Sequence, residues 1–113
     1  MIINCNNIIL ADKVKFADTF FKRLIGLMGK KDLPIGEGLF LKNCSSIHCF
    51  FMKFPIDVVY LSKEMEVLHV ETVKPWKVGS FVKNTKNILE LAAGSAKQIS
   101  VGDQIRIYES GEK

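Results

Sequence analysis

A succession of short apolar runs, each bounded by turn-forming residues, is the feature of this 113-residue sequence that most limits its fold. The runs are rich in β-branched and aromatic residues and are too short to show the period of a helix, so they predict β-strands. After Gly38 they occupy residues 39–41, 47–52, 58–61, 67–73, 88–91 and 105–108. We therefore expect most of the chain to be β-structure.

The residues between these runs have the chemistry of turns. Residues 62–65 predict a hairpin loop, and residues 102–103 (Gly-Asp) predict a tight turn before the last strand. Before Gly38, residues 8–10 and 14–16 predict two strands or one bent strand. This order of elements favours a β-sandwich or a jelly-roll-like, partly closed barrel over a parallel α/β sheet.

One segment, residues 18–29, departs from the strand pattern. Apolar side chains recur there at the three- and four-residue spacing of an amphipathic helix. They are Phe20, Phe21, Leu24, Ile25, Leu27 and Met28. Asp18 or Thr19 can cap the start, and Gly29 suits the end because glycine adopts the left-handed conformation of a C-terminal cap. We expect one short N-terminal helix.

Composition is that of one ordered domain spanning residues 1–113, with 48% hydrophobic and 25% charged residues. No apolar run approaches the roughly 20 residues of a membrane-spanning helix, and the N-terminal sequence lacks the basic region and cleavage site of a signal peptide. We therefore expect a cytoplasmic protein without a membrane segment. Its cysteines, Cys5, Cys44 and Cys49, are then expected to be reduced thiols.

Positive charge is concentrated between residues 74 and 86, which contain four lysines and no acidic residue. Trp76 and Phe81 lie among these lysines, a loose pattern typical of surfaces that bind single-stranded nucleic acid. Arginine is the usual residue for base and phosphate recognition, and none occurs here. A mobile basic loop is the alternative, so nucleic acid is not the favoured partner.

Two thiols and an imidazole occur within residues 44–49, and these are groups that bind zinc or copper. On a regular strand, however, His48 and Cys49 would point to opposite faces, and Cys44 would lie about 13 Å from His48. A closed zinc site also needs a fourth ligand. The sequence therefore predicts no metal site and no cofactor.

Several motifs, taken together, resemble one protein family. They are residues 23–28 (RLIGLM), 38–40 (GLF), 48–57 (HCFFMKFPID), 89–94 (LELAAG) and 102–103 (GD). In this order and spacing they resemble the bacterial and archaeal domain of unknown function 192 family, over about residues 10–108. The resemblance implies a compact β-sandwich or jelly-roll-like domain with one helix near the start. It implies no particular activity.

Five polar or soft residues inside these motifs are the candidate site: Arg23, His48, Met52, Asp57 and Glu90. Such residues in a framework motif form either a structural ion pair or the floor of a site. Because no catalytic signature is present, our leading hypothesis is a non-enzymatic module that binds a small molecule or a protein in a cleft formed by this cluster. Its catalytic residues, if any, remain unassigned.

A hydrolase of a carbohydrate or cell-envelope component is the alternative, with Asp57 and Glu90 as its acid–base pair. The alternative requires their carboxyl groups to lie within roughly 5 to 9.5 Å of each other and to face one pocket. A third hypothesis, single-strand nucleic-acid binding, depends on residues 74–86.

Overall fold

The computed structural model describes residues 2–5, 8–17, 32–45 and 54–108, and these residues form eight β-strands. The strands are β1 (Ile2–Cys5), β2 (Ile8–Ala11), β3 (Lys13–Ala17), β4 (Glu37–Lys42), β5 (Ile56–Leu61), β6 (Val67–Val73), β7 (Asn87–Ala92) and β8 (Ile105–Tyr108). No helix occurs in this part of the chain. The prediction of a mainly β fold is confirmed.

The strands form two sheets. An antiparallel three-stranded sheet has the order β2-β1-β8, and a five-stranded sheet has the order β3-β4-β7-β5-β6. The larger sheet is mixed because β3 and β4 run parallel, whereas its other neighbouring strands are antiparallel. Its end strands, β3 and β6, do not pair with each other in the described residues. The sheet is therefore open, and the prediction of a partly closed barrel is wrong.

Both faces of the five-stranded sheet carry core residues. The front face bears Leu39, Leu41, Val58, Tyr60 and Ile88. The back face bears Phe40, Val59, Leu61, Leu89 and Leu91, in one hydrophobic cluster with Ile3, Cys5 and Ile105 of the smaller sheet. Every residue of β5 and β7 is buried, as expected for strands covered on both sides.

Sequence patterns predicted most of these strands, although β1 was missed. The predicted hairpin loop is confirmed, since the Met65 amide donates a hydrogen bond to the Ser62 carbonyl between β5 and β6. The predicted turn at residues 102–103 is confirmed by a bond from the Asp103 amide to the Ser100 carbonyl. The helix predicted for residues 18–29 and the strand predicted for residues 47–52 lie outside the described residues.

Candidate functional site

Asp57, one of the predicted site residues, holds a turn against the back face. It lies on β5 opposite Thr72, whose hydroxyl donates a hydrogen bond to Asp57 Oδ1 at 2.7 Å. The backbone amides of Gly94 and Ala96 donate to Asp57 Oδ2 at 2.9 and 3.0 Å. The carboxylate thereby fixes the start of the turn segment that follows β7. This is the structural role that a buried carboxylate with compensating donors usually has.

Glu90, the second predicted site residue, lies on the front face. It is paired across the sheet with Val58 on one side and Leu39 on the other. Burial raises the pKa of Glu90 to about 8, so its carboxyl group is largely protonated at neutral pH. Within the described residues, no hydrogen bond or ion pair to its carboxyl group is found. Glu90 is therefore a neutral polar group among aliphatic side chains.

The strand register separates these two carboxyl groups. Asp57 is directly opposite Leu91, whereas Glu90 is directly opposite Val58. Directly opposed residues share a face of the sheet and successive residues alternate, so Asp57 and Glu90 project from opposite faces. The hypothesis that they form one acid–base pair is therefore wrong. A single cleft containing both residues is excluded for the same reason.

The other three predicted site residues, Arg23, His48 and Met52, lie outside the described residues, as does Cys49. Their place in a site stays a prediction.

Cys5 lies in the core between the two sheets and is poorly suited to nucleophilic catalysis. Its thiol contacts Asp103 Oδ2 at 3.7 Å. Burial, together with the nearby Asp103 carboxylate, raises the pKa of the Cys5 thiol, and a protonated thiol is a weak nucleophile. His69, in contrast, lies on the front face, where its ring is 5.5 Å from the ring of Tyr60. These two residues do not form a Cys–His pair.

A cleft of about 350 Å³ opens at one end of the two sheets, and we call it the intersheet cleft. It is lined by Phe16, Phe40, Lys42, Lys63, Met65, Asn87 and Ile107. The rings of Phe16 and Phe40 lie 5.0 Å apart in a tilted arrangement. Aromatic and aliphatic groups thus form one part of the lining, and two lysines contribute positive charge.

Two bulky residues have backbone conformations that usually favour glycine. The non-glycine residues with positive φ among those described are Asn43, Met65, Trp76 and Asn84. Asparagine adopts this region readily, but methionine and tryptophan do so at a cost. Met65 lines the intersheet cleft and Trp76 lies in the loop after β6. Backbone strain of this kind is concentrated at functional sites, so both places are candidate binding surfaces.

Sequence reasoning missed the intersheet cleft. In the sequence, Lys42 and Lys63 each look like an ordinary surface lysine. Lys42 ends β4 and Lys63 lies in the loop after β5, and these two strands are brought together only because both pair with β7. A signal was present at Met65, because an apolar residue in the last position of a Ser-Lys-Glu-Met turn is unusual where Gly or Asn is expected.

A smaller, more polar pocket of about 230 Å³ is lined by Asn43, Cys44, Ser45, Thr85 and Lys86. The hydroxyl group of Thr85 is buried there without a hydrogen-bond partner in the described part of the chain. Such a group costs stability because it has lost its hydration.

We expect Thr85→Val, which replaces this hydroxyl with a methyl group of similar size, to leave the free energy of unfolding unchanged or to raise it by up to about 1 kcal/mol. The matched variant Thr72→Val removes a hydroxyl that donates to Asp57, and it should lower the free energy of unfolding by about 1–2 kcal/mol. Urea denaturation measures both. A loss in Thr85→Val as large as that in Thr72→Val would contradict this assignment.

The described fold defines a small, open, two-sheet β-domain with an amphipathic cleft between its sheets. The family model DUF192, described as "Uncharacterized ACR", matches residues 2–107. UPF0127 protein PH1112 of Pyrococcus horikoshii is 36% identical over 96% of this chain and 99% of that protein. UPF0127 protein PF1050 of Pyrococcus furiosus is 35% identical over 82% of this chain and 84% of that protein. The chain therefore belongs to the DUF192 family, as its motifs indicated.

Two solved structures share the fold. A protein of unknown function from Novosphingobium aromaticivorans superimposes with a TM-score of 0.74 at 19% identity, over 83% of this chain and 74% of that chain. A putative transcription regulator from Sinorhizobium meliloti superimposes with a TM-score of 0.72 at 20% identity, over 82% and 79% of the respective chains. At this level of identity the likeness establishes the fold alone.

Proposed function

We propose that this protein is a non-enzymatic binding module that holds a small organic anion in the intersheet cleft. The observation that carries the proposal is the combination of an aromatic and aliphatic lining with two lysines in one cleft. Its volume of about 350 Å³ lies in the range of small-molecule sites, which is roughly 300–1,000 Å³. A few polar groups in a mainly apolar lining are also typical of such sites.

The lining specifies the chemistry of the ligand. Phe16 and Phe40 offer ring surfaces to a flat or branched apolar body. Lys42 and Lys63 in the lining favour a negative charge at the other end of the ligand. An aryl or branched-chain carboxylate combines these properties.

Met65 and Asn87 form a part of the cleft lining in which the Asn87 side chain is fixed by hydrogen bonds. The Asn87 side-chain amide donates to the Ser62 carbonyl and contacts Met65 Sδ at 3.8 Å. Its carbonyl oxygen accepts a hydrogen bond from the Asn43 backbone amide at 3.2 Å. The Asn87 amide is thus held in place by Asn43 on one side and Ser62 on the other. The flexible thioether of Met65, in contrast, can adapt to ligands of different shape.

Binding is favoured over hydrolysis because the carboxylate pair that hydrolysis required is divided between two faces of the sheet. Of the predicted cluster of Arg23, His48, Met52, Asp57 and Glu90, only the last two are among the described residues, and they have separate places. Asp57 supports the turn after β7, and Glu90 belongs to the front face.

The test is a titration of isotopically labelled protein with phenylacetate, isovalerate and the uncharged analogue phenylacetamide, followed by amide chemical shifts. We expect saturable shifts at the intersheet cleft with carboxylates, and dissociation constants in the range of about 0.1–1 mM. Phe16→Ala should weaken phenylacetate binding about tenfold, and Lys63→Gln about fivefold. Phenylacetamide, which lacks the negative charge, should bind the parent protein about fivefold more weakly than phenylacetate does.

Lys97→Gln is the matched control, because Lys97 is also exposed but lies in the turn after β7, away from the cleft lining. It should bind phenylacetate as the parent protein does. Shifts spread over the whole surface, or equal weakening by Lys63→Gln and Lys97→Gln, would show non-specific charge attraction and sink the proposal.

A further inference from the structure

The loop between β6 and β7, residues 74–86, exposes apolar side chains to solvent. Trp76 is 58% exposed, Val78 is 64% exposed and Phe81 is 82% exposed. Exposed large apolar residues grouped in one segment indicate an interaction surface more strongly than scattered ones do. The same loop carries four lysines, Lys74, Lys77, Lys83 and Lys86, all of them exposed.

Trp76 occupies a strained position in a tight turn of this loop. The Lys77 amide donates a hydrogen bond to the Lys74 carbonyl at 3.1 Å, which closes a four-residue turn with Pro75 in its second position. Trp76 occupies the third position with φ 65°, where glycine is normally preferred. The turn therefore carries a large indole near its apex, at a cost in backbone strain.

Glu71 anchors the loop to the sheet. Its carboxylate accepts hydrogen bonds from the backbone amide and the hydroxyl group of Ser80 at 2.7 and 3.0 Å, and another from the Tyr60 hydroxyl. Burial opposes ionisation of Glu71, but the bonds from Tyr60 and Ser80 and the nearby His69 outweigh it and lower the pKa of the carboxyl group. The Glu71 carboxylate is therefore ionised at neutral pH. Because it already holds Ser80, in the middle of the loop, less conformational entropy is lost when the loop binds a partner.

We propose that the 74–86 loop is a docking surface for an anionic membrane, with Trp76, Val78 and Phe81 entering the interfacial region and the lysines contacting lipid headgroups. Charge complementarity supports this occupant, because the loop has four cations and no acid. Tryptophan is the residue most characteristic of the bilayer interface. This inference is independent of the intersheet cleft.

A membrane fits the loop better than single-stranded nucleic acid, the other partner with this charge. Val78 offers no ring on which a base can stack, yet it is as exposed as Trp76. The loop also has no arginine, the residue that most often pairs with base edges and adds cation–π contacts to bases. None of the described segments contains a helix long and apolar enough to cross a bilayer.

Vesicle flotation and intrinsic fluorescence test the proposal with the full chain. Trp76 is the sole tryptophan of the sequence and reports directly on its own environment. With vesicles of phosphatidylcholine containing about 30 mol% phosphatidylglycerol, we expect co-flotation and a blue shift of the emission, both reversed by salt. Vesicles of phosphatidylcholine alone should bind at least about tenfold more weakly.

Variants separate the apolar and ionic contributions. Trp76→Gly suits the turn geometry, so the fold is retained while flotation falls about tenfold. Phe81→Ala keeps the fluorescent reporter and should also weaken binding, and the double variant Lys74→Gln with Lys77→Gln should weaken it about tenfold. Ile35→Ala removes an exposed apolar side chain elsewhere and serves as the control.

Two results would overturn the proposal. One is equal flotation of the parent protein and all three loop variants under conditions in which thermal unfolding shows them folded. The other is quenching of Trp76 by an oligothymidylate at concentrations at which anionic vesicles produce no shift, which would assign the loop to nucleic acid.

Discussion

Replacing Asp57 with alanine is expected to lower the free energy of unfolding by about 3–5 kcal/mol. Asp57 is buried and accepts three hydrogen bonds, from Thr72 Oγ1 and from the amides of Gly94 and Ala96. Alanine leaves these donors without their acceptor. The buried Ala96 amide costs about 1–3 kcal/mol when it loses its partner, and the more exposed Thr72 hydroxyl and Gly94 amide cost less. Bonds to a charged acceptor are the stronger kind.

Urea denaturation measures this loss, and graded variants test its cause. Asp57→Asn retains one oxygen acceptor and should fall between the parent protein and Asp57→Ala. Hydrogen exchange at the Gly94 and Ala96 amides should accelerate in Asp57→Ala, while exchange at amides in the middle of β7 follows the global stability. A loss below about 1 kcal/mol would mean that the turn is held by other contacts.

The strands were predictable because their signal is local. Val58, Val59 and Ile88 belong to short β-branched and aliphatic runs, and this composition indicates a strand whatever its neighbours are. β1 was not predictable in this way. Its sequence has only two β-branched residues, Ile2 and Ile3, before Asn4, and besides β2 it pairs with β8, about one hundred residues later in the chain.

The faces of the sheet on which the candidate site residues lie depend on strand register, which the local sequence does not reveal. Asp57 and Glu90 both appeared as acids within apolar motifs, so they were expected to converge. Their separation results from the register in which Asp57 faces Leu91 and Val58 faces Glu90. Because side chains alternate along a strand, a shift of one residue would have placed both carboxyl groups on the same face.

The stability of the protein is expected to decrease as pH rises from about 5 to 8, because of Glu90. Burial raises the pKa of this carboxyl group from 4.5 to about 8. Between these values the unfolded chain has released the proton and the folded protein has kept it, so the folded state binds more protons and loses stability as pH rises. The slope is about 1.4 kcal/mol per pH unit, and the total is about 3–5 kcal/mol before the curve levels above pH 8.

Glu90→Gln should abolish this slope, since a glutamine does not titrate. It should match the parent protein near pH 5 and exceed it at pH 8 by the full loss of the parent, about 3–5 kcal/mol. Glu90→Leu should be at least as stable as Glu90→Gln, because Leu39 and Val58 flank the position across the sheet. Glu66→Gln changes an exposed carboxylate and should leave the slope in place.

Comparison of the parent protein with Glu90→Gln distinguishes the two roles that the sequence allowed for Glu90. In a structural ion pair, the partner cation keeps Glu90 ionised, the parent protein shows no such slope, and Glu90→Gln loses about 3–5 kcal/mol at neutral pH because a buried charge is left uncompensated. If Glu90 is instead a neutral buried acid, the protein tolerates Glu90→Gln and the pH dependence of its stability disappears. The direction of the pKa shift favours the second outcome. A carboxyl group that folding keeps protonated at the centre of an aliphatic face can donate a hydrogen bond, which an ion-paired carboxylate cannot.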